Sequence, residues 1–205
     1  MDLICKYFPA LDSLQYSRFE QLLRLLPRLN QKVNVISRKD VAHLEERHIL
    51  HSMVIAKLFA FPVGATVIDA GTGGGFPGIP LSILFPETRF TLVDSTRKKI
   101  SLVRESIEEL GLGNVTARWE RVEELDIQAD FVVSRAVTAF PILYAWTWKL
   151  IRKGNQGSDN GLIAMKGGEL DSELEGFRQR VRLFPVSDFY EEPFFSGKTI
   201  VYLKK

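Results

Sequence analysis

The sequence predicts an α/β protein: a doubly wound, mostly parallel sheet with helices on both faces, preceded by a helical extension. Three observations carry this. Short apolar runs bounded by Gly, Pro or Asp alternate with helix-period segments from Thr66 onward, the pattern of repeated strand–helix units. A glycine-dense loop, Gly71–Gly78, follows the first of these runs, where an open sheet binds ligands. Residues 1–60 contain no such strands, and their leucines recur at helical spacing.

In order along the chain, "FEQLLRLLPRLNQK" sets Phe19, Leu22, Leu23, Leu26 and Leu29 on one helical face, with Pro27 expected to kink the helix or end a turn. A second helix is expected from a Ser37 or Asp40 cap to about Phe59. "TVIDA" reads as a buried strand, followed by the glycine loop and a helix to about Leu84. "RFTLVDS" is a strand, and "TRKKISLVRESIEELG" a helix with Ile100, Val103, Ile107 and Leu110 inward. "VTARW" and "DFVVSRAV" are strands, and "PILYAWTWKLI" is a helix whose Trp146 and Trp148 belong to the core. "GLIAMKGG" is a fifth strand, with a helix from about Glu169 to Arg180. "RVRLFPVSDFY" and "KTIVYLK" have no helix between them and should pair antiparallel. The polar stretch Lys153–Gly161 is a turn-rich loop. Two units result: a helical extension over 1–60 and one compact domain over 61–205.

Composition narrows the function classes. The chain has 205 residues, 45% of them hydrophobic, enough for a substantial core. With 27 Lys and Arg against 25 Asp and Glu, the balance does not announce a nucleic-acid binder, although a local patch is compatible with it. The single cysteine, Cys5, allows no disulfide framework or metal cluster within one chain. The first residues lack a signal-peptide pattern and no apolar run reaches membrane-spanning length, so a cytoplasmic protein is expected.

The loop fits two ligand patterns. Gly73–Gly78 satisfies G-x-G-x-x-G, a dinucleotide fingerprint, while Asp69–Gly75 satisfies D-x-G-x-G-x-G, found in S-adenosylmethionine enzymes. Asp94, ending the next strand, suits a ribose in both. Pro77 and Pro80 remove amide donors that a pyrophosphate would use, Asp69 would crowd that pyrophosphate, and no second domain remains for a hydride acceptor. These features favour the methyl donor, with Asp69 expected to pair with its amino group directly or through water. A side chain at Gly73 would occupy ligand space. Arg135 and Lys166 each end a strand, and a buried Arg135 needs an anion: a ligand carboxylate, an RNA phosphate or a structural Asp. His43, His48 and His51 lack H-E-x-x-H spacing, so no metal is expected; His48 is expected to pack against the glycine-loop domain. Arg97–Lys98–Lys99, Arg38–Lys39 and Arg178, Arg180, Arg182 are basic groups able to meet phosphates or simply to solvate the surface.

"IDAGTGGGFPGIPL", "LVDSTRKK", "RVEEL", "SRAV" and "MKGG", with "RHILHS" and "NQKVNVIS" upstream, resemble the bacterial small-subunit (16S) ribosomal RNA guanine-N7 methyltransferase family (RsmG, formerly GidB) over essentially the whole chain. The resemblance implies a Rossmann-like methyltransferase fold of seven strands. It implies S-adenosyl-L-methionine as cofactor, held by Gly71, Phe76, Val122, Glu123 and Arg135, with Asp94, Ser95 and Thr96 at the ribose; Gly73 joins them from the loop pattern. It implies 16S ribosomal RNA or the small subunit as partner, and a monomer with neither membrane nor metal is expected. His51, Leu29 and Ile36 depart from the family pattern, where Asp, an aromatic and Thr are usual. Without the resemblance, a methyltransferase acting on a small molecule or protein and a non-catalytic NAD-binding regulator are the competing functions. Cys5 lies far from the strand ends, and no acidic-or-Asn-Pro-Pro-aromatic motif follows the fourth strand. A ring nitrogen or oxygen with a free lone pair therefore remains as acceptor, and no catalytic residue is expected.

Overall fold

The computed structural model describes residues 1–154 and 159–205; part of the expected loop at Lys153–Gly161 therefore lies outside the described residues. Seven strands form one sheet in the order β3-β2-β1-β4-β5-β7-β6: β1 Thr66–Ala70, β2 Arg89–Asp94, β3 Val115–Trp119, β4 Phe131–Arg135, β5 Gly161–Gly167, β6 Val181–Pro185 and β7 Lys198–Lys204. Strands β1 to β5 pair parallel, and β7 runs antiparallel to both β5 and β6. The strands are legible because strands covered on both faces are continuously apolar: four of five residues are buried in both β1 and β4. The order reverses between β1 and β4, where two crossovers leave in opposite directions and open a crevice at the carboxyl ends.

The extension comprises α1 Asp2–Tyr7, α2 Ser13–Asn30, α3 Arg38–Val41, a π-helical turn Glu45–Leu50, α4 His51–Met53 and α5 Ile55–Leu58. Asp12 and Gln15 start α2 with a reciprocal capping box. Its buried face is Phe19, Leu22, Leu25, Leu26 and Leu29, so Leu25 replaces the expected Leu23, and the helix runs through Pro27 to Asn30. Ser37 caps only the short α3, its Oγ accepting from the Asp40 amide at 3.1 Å. The single helix expected to Phe59 is broken into segments around the π-helical turn, a feature frequent at functional sites. The extension shares its core with the sheet: Leu22, Leu26, Met53 and Ile55 pack in one cluster with Phe90, Leu92 and Ile163.

Helices α6 Gly78–Leu84, α7 Arg97–Glu109 and α8 Phe140–Thr147 complete the layers. Ile100, Val103 and Leu110 are buried as expected and Ile107 is half-buried. The helix expected over Glu169–Arg180 is absent; turns and one 3-10 turn, Glu175–Phe177, replace it. Gly168, at φ 84°, and Gly176 interrupt the segment. Glu173 turns inward to accept from the Phe140 amide. Among the described residues no helix is long and apolar enough to cross a membrane.

Candidate functional site: a cleft at the strand ends

The loop after β1 is shaped from below by Asp69. This carboxylate has no exposed surface. Its Oδ2 accepts from Thr72 Oγ1 at 2.6 Å and from the Gly78 amide at 2.8 Å, tying both ends of the turn together. Of the two expected pairings with a bound amino group, the direct one is thus corrected, since Asp69 lies beneath the loop and folds it; its Oδ1 has no hydrogen-bond partner, which leaves the pairing through water. Burial raises its pKa to about 7, against the Thr72 and Gly78 hydrogen bonds and the Arg135 charge. An acid whose folded pKa lies above its unfolded value costs stability progressively as pH rises from about 4 through about 7.

Above the loop, two cavities meet. The smaller, about 270 Å³, is lined by Gly71, Asp94, Ser95, Thr96, Val122 and Glu123. The larger, about 810 Å³, is lined by the loop from Gly71 to Gly74, by Phe76, His48, Arg135 and Lys166, and by the extension residues Asp40 and Arg47. Gly71, Lys99, Ala136 and Val137 border both. All nine residues expected to hold the cofactor therefore line one branched cleft, with Gly73, Phe76 and Arg135 in its larger arm.

Asp94 does two jobs. Its Oδ2 accepts from the Gly73 amide at 3.0 Å and its Oδ1 from the Thr96 amide at 2.8 Å. Each oxygen keeps acceptor capacity toward the cleft, and Lys99 Nζ stands 3.6 Å from Oδ2. Gly73 has φ 59°, and a Cβ placed there meets no atom within 4 Å. Such a bare cradle beside a carboxylate fits a nucleoside-bearing ligand. Val122 and Glu123 open a 3-10 turn, Val122–Glu124, whose first amides have no partner inside the turn; they and the buried Val122 side chain suit an adenine edge. Trp146, expected in the core, is half-buried and lines this same groove.

Arg135 ends β4. Nη1 donates to the Arg47 carbonyl at 3.1 Å, Nη2 lies 2.9 Å from His48 Nδ1, and the guanidinium sits 4.9 Å from the Phe76 ring centre. Burial lowers its pKa to about 10. No carboxylate of the described residues lies within 4.0 Å of it, so the structural Asp weighed for this position is not its direct partner. Lys166 is different: it is ion-paired with Glu173 and donates to the Thr138 carbonyl, which corrects its expected role toward a ligand anion. His48 packs 5.3 Å from Phe76, as expected. Burial and then the Arg135 charge lower its pKa to about 4.

The departures His51, Leu29 and Ile36 are all buried. They adjust the packing of the extension rather than an exposed docking face. His51 lies between Phe194 and Phe195, at 5.7 and 5.9 Å, and its Nε2 has no partner. Burial, then the charge of Arg135, lowers its pKa to about 3. Its folded pKa lies below its unfolded value, so its contribution is present above about pH 6.5 and is lost as pH falls toward 3. His51→Leu should therefore make stability fall less steeply than in the parent between about pH 6.5 and 4, at most ~1.4 kcal/mol per pH unit. Urea unfolding at a series of pH values checks this; parallel curves for the two proteins would contradict it.

Two features of the cleft escaped the sequence reading. Ala136 adopts φ 54°, rare for a residue with a side chain, and so carries no glycine to announce it. Val137 consequently lies over Gly71, where a Cβ would come within 2.4 Å of its Cγ2. Trp119, at the end of β3, is 54% exposed; strand alternation alone does not reveal that its side is uncovered. Among the described residues no group of three or more His, Cys, Asp or Glu is placed to hold a metal.

Comparison with known proteins agrees with this fold. The family described as rRNA small subunit methyltransferase G matches residues 15–189. Ribosomal RNA small subunit methyltransferase G of Christiangramia forsetii is 50% identical over 204 residues, covering 99% of this chain and 96% of that protein. The protein of the same name from Bacteroides thetaiotaomicron is 48% identical, covering 98% of each chain. Among solved structures, an S-adenosylmethionine-dependent methyltransferase from Aquifex aeolicus has a TM-score of 0.55 at 16% identity, over 82% of this chain and 98% of that one. An rRNA methylase from Streptococcus thermophilus has 0.52 at 16% identity, over 76% and 94%. These two show the shared fold. The chain belongs to the ribosomal RNA small subunit methyltransferase G family.

Proposed function

We propose that this protein transfers a methyl group from S-adenosyl-L-methionine to N7 of a guanine in 16S ribosomal RNA, free or in the small subunit. The observation that carries the reading beyond family membership is the chemistry of the larger cavity: it joins the glycine cradle but, among the described residues, its carboxylates are engaged and its imidazoles are weak bases. The carboxylates lining it are engaged, Asp40 with Ser37 and Arg47, and Glu173 with Lys166. His48 meets Arg135 through Nδ1; His51, whose Nε2 has no partner, also lines the cavity; burial makes both weak bases, and Asp69 is sealed beneath the loop. Guanine N7 has a lone pair and no proton, so it needs no base; an amine or hydroxyl acceptor would.

When bound, the cofactor supplies an electrophilic sulfonium methyl group. Asp94 would accept from its ribose hydroxyls, Val122 and Glu123 would hold the adenine, Gly71 and Gly73 would admit the chain between them, and Arg135 would face the carboxylate. The residues position; none moves a proton. Alignment alone can supply about 7–11 kcal/mol. The single-turnover transfer rate, at saturating cofactor and RNA, should therefore be flat within about twofold between roughly pH 6 and 9. A rate climbing roughly tenfold per pH unit to a plateau near neutrality requires a titrating base and removes N7 as acceptor. Methylation of a small molecule or protein would leave RNA unlabelled in the same assay, and an NAD-binding module would show tight NAD binding by calorimetry.

A further inference from the structure

Trp119 is the most exposed tryptophan of the chain, at 54%, the other two being half-buried. It is held in place nonetheless. Its Nε1–H donates to the Ser95 carbonyl at 3.0 Å, and the Arg97 guanidinium lies 5.4 Å from its ring centre. An indole fixed at its polar edge with its apolar body in water is a ready-made contact surface. It borders a pocket of about 380 Å³ with Ser95, Glu120, Arg121 and Glu124; Ser95, Glu120 and Arg121 also line the small groove, whereas Trp119 does not.

The surroundings identify the partner's charge. Arg97 and Lys98 are exposed, and neither has a carboxylate of the described residues within 4.0 Å. They open the 13-residue helix α7, whose N-terminus adds positive potential. Glu120 is neutralised by Arg118 at 2.7 Å and Glu123 by Arg121 at 3.4 Å, which leaves the exposed Glu124 as the one carboxylate on the pocket without a cation of the described residues within 4.0 Å, against the two free cations Arg97 and Lys98. Lys99, next along, lines both arms of the cleft. A basic track thus leads from the large cavity across Lys99, Lys98 and Arg97 to one exposed aromatic plane.

We propose that Trp119 is a stacking platform for an unpaired base of the RNA substrate beside the target guanine, with Arg97 and Lys98 on the phosphates between them. This rests on the RNA-methylating reading above. Presenting one guanine to a cleft takes it out of its stack and exposes its neighbours. An aromatic face replaces the lost stacking whatever the base, and flanking cations hold the backbone.

The test compares Trp119→Ala and Trp119→Phe with the parent in the full-length protein. Three quantities are measured: affinity for unmodified 16S RNA, S-adenosyl-L-methionine affinity by calorimetry, and single-turnover transfer at saturating RNA. The Ala variant should bind RNA about tenfold more weakly and the Phe variant close to the parent. Cofactor affinity and the saturated rate should change by less than about twofold in both. Parent-like RNA affinity in the Ala variant overturns the platform. So does a loss confined to the cofactor, which would make Trp119 part of the adenine site. A parent that binds RNA but transfers no methyl group would instead overturn the activity reading.

Discussion

Gly73→Val abolishes cofactor binding in a protein that still folds. The residue has φ 59° and its Cβ position opens onto the cleft with nothing within 4 Å. Folding therefore meets only the left-handed backbone penalty, about 1–2 kcal/mol, or roughly 2–8 °C in Tm for a chain of this size. Binding meets two isopropyl methyl carbons in the space where a ribose must approach Asp94, and a displaced Gly73 amide would also release the Asp94 Oδ2 it donates to. The expected loss in S-adenosyl-L-methionine affinity is about hundredfold or more, ~2.7 kcal/mol. Calorimetry beside a melting curve checks both. A variant that unfolds would make the loop structural; one that folds and binds normally would place the ligand elsewhere. Gly75 and Gly78 are useful contrasts, since a Cβ at either runs into Ile79 or into Asp69 and Leu92. Substitution there should destabilise the fold itself.

Arg135→Met should lower cofactor affinity by roughly tenfold to a hundredfold, the worth of charge-assisted hydrogen bonds, about 1.5–3 kcal/mol. The guanidinium is held by a carbonyl, an imidazole nitrogen and the Phe76 face, with no carboxylate of the described residues in ion-pair range. Asp69 and Asp40 act on it only through space, so this buried cation lacks an anion in direct contact, and the cleft it faces is where one would bind. Loss of RNA affinity with normal cofactor binding would reassign Arg135 to a phosphate. A second readout is independent of ligands. Because the Arg135 charge is one cause of the depressed His48 pKa of about 4, that pKa should rise in the variant. An imidazole titration followed by NMR reports it.

How much of this was legible in the sequence depends on whether local or tertiary forces decide each feature. "TVIDA", "RFTLVDS" and "GLIAMKGG" are apolar runs stopped by glycine or acid, and all are strands. The antiparallel closure follows from the absence of a helix between the last two. The glycine loop and Asp94 announce their own chemistry, because few other reasons exist for a backbone so bare beside a strand-end carboxylate. Asp69 misled as to direct contact only, for an instructive reason. A carboxylate before a ligand loop suits both a ligand and the loop's own amides, and only the direction of its side chain separates the two. Lys166 was set by Glu173, a partner on a segment expected to be helical that instead turns at Gly168 and Gly176. The π-helical turn that brings the Arg47 carbonyl and His48 to Arg135 leaves no mark in hydrophobic periodicity. Nor does the positive φ of Ala136, which places Val137 over Gly71.

The central claim is that this cleft methylates guanine N7 in small-subunit ribosomal RNA. Its most direct test is incubation of the purified protein with S-adenosyl-L-methionine labelled at the methyl group and with small subunits from cells lacking this protein. The RNA is then digested to nucleosides and the label is resolved by chromatography and mass. The account predicts label in 7-methylguanosine, at one position, in parent but not in Gly73→Val reactions. Label in any other nucleoside, or RNA left unlabelled by a protein that binds the cofactor, would contradict it.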